Sequence, residues 1–177
     1  MSCYKIETLH FDEPMFKTID AAYVLTLENS NRRKNYMSQL NKFKPCKTVH
    51  IQHNKGYKKC KKKLCGQNSM YDLIDSVITA FKNAEKYKGN ILIFEDDFFF
   101  SNKIKKKDID RIENFINDKP FDLYGLGFMP MFSYPVSFYH IRVKFFGCAH
   151  AIIFSPNIRI QPNISIYLFL DIQGYYL

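Results

Sequence analysis

The segment that most constrains the fold is NILIFEDDFFF, residues 90–100, in which three consecutive acids interrupt an apolar run. Its first part, Ile91–Phe94, is continuous enough in apolar side chains to form a strand that is buried on both faces. Removing an ionised carboxylate from water costs several kcal/mol unless a cation, a metal or hydrogen bonds compensate the charge. We therefore expect the acids Glu95–Asp97 to lie at the carboxyl end of the strand, where the sheet opens to a ligand.

Strands and helices alternate on both sides of this strand. Apolar spacing and capping residues predict, in chain order, a strand at 21–27, a helix at 32–43 capped within 29–31, a strand at 48–51, a helix from Ser69 to about Lys86, a helix at about 108–117, a strand at 122–126, a Gly/Pro-rich loop, and two strands within 137–154 joined near Gly147. This alternation is typical of an α/β fold with a central, mostly parallel sheet flanked by helices. The 177 residues, of which 46% are hydrophobic, suit a single domain that spans 1–177.

The net charge of +9 favours an anionic partner, whether a nucleic acid, an anionic membrane surface or a phosphorylated small molecule. Many of the lysines cluster in one predicted loop, at Lys55, Lys58, Lys59, Lys61, Lys62 and Lys63. This loop is either a solvated, mobile surface segment or one that binds phosphates, anionic lipid or nucleic acid. The sequence contains no helix-turn-helix, zinc-finger or RNP-like pattern, so nucleic acid is the least favoured partner.

Cysteine spacing and the opening segment bear on the compartment. The five cysteines are irregularly spaced, and Cys60 and Cys65 lie too far apart for the usual paired zinc site, which predicts reduced thiols. The opening residues, MSCYKIETLHFDEP, carry acids where a signal peptide would carry a basic start and an apolar core. We therefore expect a cytoplasmic protein. The abundance of Lys, Asn, Ile, Phe and Tyr suggests an AT-rich microbe or a large virus, and in the viral case the host cytoplasm or the virion.

The acidic motif has a specific chemical interpretation. Ligands of open α/β sheets bind beyond the carboxyl ends of the strands. With the period of two of a strand, Glu95 and Asp97 share one side and Asp96 points to the other. Two converging carboxylates suit Mg²⁺ or Mn²⁺, whose remaining ligands are often phosphate oxygens. The alternative is that the acids pair with lysines or cap the next element, and the pattern alone leaves both open.

Five segments, in order over about 23–155, resemble glycosyltransferase family 25, the lipooligosaccharide and procollagen galactosyltransferase group. They are YVLTLENSNRRKNYM, LCGQNSMYDLI, ILIFEDDFF, FDLYGLG and GCAHAIIFS. The third segment corresponds to the family's acidic motif, usually ILILEDD. The chain departs from the family pattern at Thr26, usually Asn, and at Met70, usually His. Its Cys65 and Gly66 stand in the reverse order.

The resemblance implies a GT-A fold that transfers a sugar from a UDP-sugar to a glycan or protein hydroxyl, with inversion and with the help of Mn²⁺ or Mg²⁺. Carried over by motif, the metal ligands are Asp97 and Glu95. The donor-binding residues are Leu25, Thr26, Leu27, Arg32, Arg33, Ser69 and Glu95, and Asp96 or Glu95 would contact sugar hydroxyls. An inverting reaction needs a carboxylate base. The candidates for this base are Asp171, in the short carboxyl-terminal segment, and Asp96.

Two other functions stay open. The short carboxyl-terminal segment is compatible with a non-catalytic glycosyltransferase-like protein. A metal-dependent nucleic-acid enzyme would also use paired carboxylates and positive charge, although Phe99 stands where the commonest carboxylate nucleases have a Lys. His150 lies in an apolar strand and is favoured as a core residue over a site residue. The aromatic stretch 121–139 is either core and loop or a platform for a sugar.

Overall fold

The computed structural model describes residues 2–159 and 174–176. Within these ranges the chain forms seven strands, β1 (Tyr4–His10), β2 (Ile19–Leu27), β3 (Thr48–Asn54), β4 (Asn90–Glu95), β5 (Leu123–Pro135), β6 (Ile141–Phe154) and β7 (Gly174–Tyr176). The helices of the same ranges are α1 (Arg33–Phe43), α2 (Ser69–Asn83), α3 (Lys106–Asp118) and the short α4 (Pro156–Arg159). All seven strands belong to one sheet, in the order β1-β3-β2-β4-β6-β5-β7.

The sheet is mixed in direction. β2 pairs in parallel with both β3 and β4, whereas β1 runs antiparallel to β3. β6 runs antiparallel to β4 and β5, and β7 pairs in parallel with β5 and antiparallel with β6. The α/β class is therefore confirmed, but the prediction of a mostly parallel sheet is wrong. The physical reason is that β5 and β6 form a hairpin, so β6 enters the sheet against the direction of β4.

The elements with strong apolar periodicity form where the sequence predicts them. β2 and β4 contain the predicted strands at 21–27 and 91–94. α1 and α2 begin within one residue of their predicted starts, and α3 covers the predicted 108–117. These segments bury a continuous face, so local pattern and tertiary packing favour the same conformation.

β1 is absent from the sequence prediction. This strand, YKIETLH, has only exposed and half-buried residues, and within the described part of the chain it pairs with β3 alone. An edge strand covered on one side needs little apolar alternation, so its sequence resembles that of a loop.

β5 and β6 are longer than predicted. The expected Gly/Pro-rich loop after 126 continues as strand to Pro135, and the two strands expected within 137–154 form one strand, β6. The pairing of β5 with β6 shifts register around Gly127 and Pro130. Bulges of this kind accommodate Gly and Pro inside a strand, which explains why breaker residues did not end it.

Helices cover both faces of the sheet. α1 and α3 pack on one face in a cluster that includes Tyr36, Leu40, Ile109, Ile112, Leu92 and Phe94. α2 packs on the other face in a cluster that includes Ala80, Phe81, Ile91 and Ile93. Since alternate residues of β4 belong to the two clusters, β4 is buried on both faces, as predicted.

The prediction of reduced thiols is wrong for two of the five cysteines. Cys3 and Cys60 form a disulfide, with their Cα atoms 5.7 Å apart. The pairing of β1 with β3 sets Tyr4 opposite Asn54 and thereby brings Cys3 beside the loop that follows β3. Cys46 and Cys65 are free thiols. The Cys3–Cys60 disulfide therefore removes the support that reduced thiols gave to a cytosol-like compartment.

None of the helices in the described ranges is both long enough and apolar enough to cross a bilayer.

Candidate functional site

The three parallel strands end together at one edge of the sheet. Leu25 of β2 pairs with Glu95 of β4, and Leu27 of β2 pairs with Asn54 of β3. The acids Glu95–Asp97 therefore lie beside the turn that joins β2 to α1. We call the group formed by Thr26, Ser30, Arg32, Glu95, Asp96, Asp97 and His150 the acidic edge.

Asp96 is the most strongly held of the three acids. Its carboxylate accepts hydrogen bonds from the hydroxyls of Thr26 (2.7 Å) and Ser30 (2.6 Å) and from Nη1 of Arg32 (2.8 Å). Burial by itself would raise the pKa of Asp96, but the hydrogen bonds from Ser30, Arg32 and Thr26 outweigh it and lower the pKa. An ionised carboxylate with three donors is a poor base. The geometry favours a positioning role, in which Asp96 fixes the turn between β2 and α1.

Asp97 lies between two cationic or polarisable groups. Its Oδ1 is 3.0 Å from Nδ1 of His150, and its Oδ2 is 3.3 Å from Nη1 of Arg32. β6 supplies His150, because Ala151 pairs with Phe94 directly before the acidic motif. The His150 side chain is 48% exposed, so the favoured placement of this residue in the core is wrong. His150 belongs to the acidic edge instead.

Glu95 differs from its two neighbours. Within the described ranges its side chain forms no hydrogen bond or ion pair, although it is half-buried. Burial, followed by the nearby charge of Asp97, raises the pKa of Glu95. A desolvated carboxyl beside a second carboxylate is a place where a bound cation would be stabilised.

A divalent metal fits this donor set in part. Asp97 and His150 are in contact, and Glu95 adds a carboxylate with no other partner in the described ranges. Oxygen ligands with one imidazole are compatible with Mn²⁺. In the part of the chain that the structure describes, no group of three or more His, Cys, Asp or Glu side chains is arranged to hold a metal ion.

The predicted donor-binding residues divide into two groups. Leu25, Thr26 and Leu27 lie at the acidic edge, as the end of β2, and Thr26 uses its hydroxyl on Asp96. Arg32 is also at the acidic edge. Arg33 is not, because its guanidinium forms two hydrogen bonds with Glu7 of β1, at 2.8 and 3.0 Å.

Two predicted residues remain, Ser69 and Asp171. Ser69 is the first residue of α2, and the α2 amino terminus contacts the end of β3, two strands away from β4. The side chain of Ser69 therefore stands at the same edge of the sheet but not among the acids. Asp171, the predicted base, lies outside the described residues.

A buried ionic cluster at the end of β3 was not predicted from the sequence. Lys62 Nζ is 2.6 Å from Asp72 Oδ1, 2.8 Å from Asn54 Oδ1 and 2.6 Å from the Tyr4 hydroxyl. The sequence presents Lys62 as one lysine of a charged loop, and Asp72 as an acid in the first turn of a helix. Tyr4 comes from β1 and Asp72 from α2, so the partners meet only through tertiary packing and no local signal could have found this cluster.

A separate cleft of about 740 Å³ lies between α3 and the hairpin that joins β5 to β6. Its lining includes Arg111, Phe115, Lys119, Phe121, His140 and Arg142. Among the described residues, none of those predicted for the metal, the donor or the base contributes to this lining, although Phe121 belongs to the aromatic stretch 121–139. The acidic edge remains the candidate site.

Comparisons with known proteins leave the family open. No protein-family model matches the chain, and no curated protein matches its sequence significantly.

Proposed function

We propose that the protein is a glycosyltransferase of the GT-A type that moves a sugar from a UDP-sugar to a hydroxyl of a glycan or protein. The observation that carries this proposal is the acidic edge itself. A partnerless, half-buried Glu95 and the contact between Asp97 and His150 stand at the carboxyl ends of parallel strands. Such an edge is where α/β sheets bind nucleotides.

Asp97 and Glu95, joined by His150, are the residues that would hold Mn²⁺ or Mg²⁺. When bound, the metal would stabilise the negative charge that develops on the diphosphate leaving group. Arg32 supplies a second positive charge beside the same acids, and its side chain is half exposed. Asp96 keeps Arg32 in place through the 2.8 Å hydrogen bond.

The contacts of the acidic edge suggest a role for each of its residues in binding the substrate. The end of β2 and the turn after it would contact the nucleotide, with Arg32 near its phosphates. Glu95 would accept a hydrogen bond from a sugar hydroxyl or bind the metal. We still predict Asp171 as the base that removes the proton of the acceptor hydroxyl, because an inverting reaction needs such a carboxylate.

Thermal unfolding with nucleotides tests this proposal. UDP, UDP-glucose, UDP-galactose and UDP-N-acetylglucosamine are added with and without Mn²⁺. A bound nucleotide at about 100 times its Kd should raise Tm by about 5 to 10 °C, and only when Mn²⁺ is present. Asp97→Ala should abolish the rise, whereas Asp110→Ala, which removes a surface acid of α3 paired with Lys106, should retain it. If none of the four nucleotides raises Tm in the presence of Mn²⁺, the proposal is wrong.

A non-catalytic glycosyltransferase-like protein is the second candidate. It is favoured by the contacts of Asp97 with Arg32 and His150, which already compensate its charge. Such a protein would still bind UDP. The two candidates differ in turnover, since only the enzyme would release UDP continuously from a UDP-sugar in the presence of Mn²⁺, with water or an added hydroxyl compound accepting the sugar.

A further inference from the structure

The lysine-rich loop, residues 55–63, is a fixed part of the fold. The Cys3–Cys60 disulfide joins it to the start of β1. Lys62 is only 4% exposed in its side chain and reaches inward to Asp72. The backbone N–H of Tyr57 also donates to Asp72, at 3.3 Å. These attachments hold the other lysines of the loop in place on the surface.

The inward-facing Lys62 leaves the outer lysines without counter-charges. Lys62 lies 2.6 Å from Asp72 and 3.3 Å from Asp75, so both acids are already paired with this inner lysine. Four other lysines of the loop are exposed: Lys58, Lys59, Lys61 and Lys63. In the described ranges none of these four forms an ion pair. The loop therefore presents four uncompensated positive charges.

Exposed apolar side chains stand at the same edge of the sheet. Leu27 ends β2, and a Cβ added to Gly56 of the loop would lie 3.7 Å from its Cδ2. Met70 is in the first turn of α2, close to the loop contacts of Asp72. Phe99, which follows the acidic motif, is 71% exposed. Leu27 and Met70 are exposed as well.

We propose that this edge, formed by the lysine-rich loop with Leu27, Met70 and Phe99, docks on an anionic phospholipid bilayer. Lysine ammonium groups act as point charges and suit the diffuse negative field of lipid headgroups. Exposed apolar side chains beside them would enter the boundary between headgroups and acyl chains. The loop has no Arg for bidentate phosphate binding, and Tyr57 is its one aromatic residue, which disfavours stacking on single-stranded nucleic acid.

Docking in this way turns the acidic edge toward the bilayer. The lysine-rich loop follows β3 and the acids lie at the end of β4, with β2 between these strands. The loop and the acidic edge are therefore two strand spacings apart, roughly 10 Å. The acceptor reached by the docked protein would then be a hydroxyl compound held at a membrane surface. This last step rests on the proposed function, whereas the docking itself does not.

Vesicle binding tests the docking without nucleotide or metal, so its result is independent of the proposed function. Vesicles of phosphatidylcholine with and without phosphatidylserine are sedimented with the protein. We expect binding only to the phosphatidylserine vesicles, with affinity falling as salt rises. Replacing Lys58, Lys59, Lys61 and Lys63 together by Gln should weaken binding roughly tenfold or more, and replacing them by Arg should preserve it.

A matched variant separates the loop from the net charge. Lys47, Lys82, Lys86 and Lys88 are exposed near the opposite edge of the sheet, and their replacement by Gln removes the same charge. This control should bind within about threefold of the parent. Equal weakening by both sets of substitutions, or equal binding to vesicles without phosphatidylserine, would overturn the proposal. So would a similar loop-dependent affinity for inorganic pyrophosphate, which would identify a phosphate site instead.

A fluorescent reporter identifies the docked surface. The chain contains no Trp, so Phe99→Trp and Phe138→Trp each introduce a single indole. Phe138 is 92% exposed on the hairpin between β5 and β6. We expect phosphatidylserine vesicles to shift the emission of the Phe99→Trp protein to shorter wavelength and to leave that of Phe138→Trp unchanged. A shift confined to Phe138→Trp would show that the hairpin docks, and our proposal would be wrong.

Discussion

At the residue scale, three adjacent acids have three different environments. Asp96 is held by three donors, Asp97 contacts His150 and Arg32, and Glu95 has no hydrogen-bond partner in the described ranges. The cost of charge at the end of a buried strand is therefore met by hydrogen bonds for Asp96 and by the contacts with Arg32 and His150 for Asp97. Glu95 has no hydrogen bond of this kind and its pKa is raised by burial, so a bound cation would stabilise its charge.

Asp96→Asn should destabilise the protein by about 1.5 to 3 kcal/mol at neutral pH, because it replaces a charged acceptor of three hydrogen bonds. The folded-state pKa of Asp96 is lowered, so the carboxylate stabilises the fold above its unfolded-state pKa. That stabilisation is lost as the pH falls through the folded-state pKa. Urea unfolding of parent and variant should therefore differ most near pH 7 and converge in acid. A constant difference across this range would contradict the assignment.

At the element scale, the success of prediction depended on where an element obtains its stability. β2, β4 and α2 bury continuous apolar faces, which their sequences display. β1 depends on its partner strand, on the disulfide at Cys3 and on contacts such as Glu7 with Arg33 of α1, and none of these appears in its local sequence. The breaker residues Gly127 and Pro130 indicated a loop, because the bulges that accommodate them depend on the partner strand β6.

Removing the disulfide by Cys60→Ser should lower the free energy of unfolding by about 2 to 4 kcal/mol, since the bond links positions 57 residues apart. Dithiothreitol should lower the free energy of unfolding of the parent by a similar amount and leave that of the variant unchanged. Cys65→Ser, at an exposed free thiol, is the control and should behave like the parent in both conditions. If reductant affects parent and Cys60→Ser equally, this disulfide does not stabilise the fold.

At the scale of the whole molecule, the position of the acidic edge could be predicted from the sequence, but the residues that join it from distant strands could not. A strand followed by acids predicts a ligand edge from general rules of α/β sheets, and Glu95, Asp97 and Arg32 lie there. His150 lies on β6, more than fifty residues later in the chain. It reaches the acids because β6 pairs antiparallel with β4, whereas the sequence predicts a mostly parallel sheet. Arg33 lies apart from the acids, because its partner Glu7 belongs to the unpredicted β1.

The buried cluster of Lys62 connects β1, β3 and α2 through side chains alone. Its ammonium group contacts Tyr4, Asn54 and Asp72, and its side chain is almost fully buried. Removing one member of a buried ion pair leaves the other charge uncompensated, at a cost of about 3 to 5 kcal/mol. We therefore expect Lys62→Met to destabilise the protein by about this amount in urea unfolding.

Two further variants show whether that loss comes from the stranded charge. Lys63→Met removes an exposed neighbour of the same loop and should change stability by no more than about 0.5 kcal/mol. Adding Asp72→Asn to Lys62→Met removes the stranded carboxylate and should recover part of the loss, giving a favourable coupling in a double-mutant cycle. If the double variant is instead as unstable as the sum of the two single variants, Lys62 acts only through packing. The Lys62 cluster would then stabilise the fold through packing and not through charge.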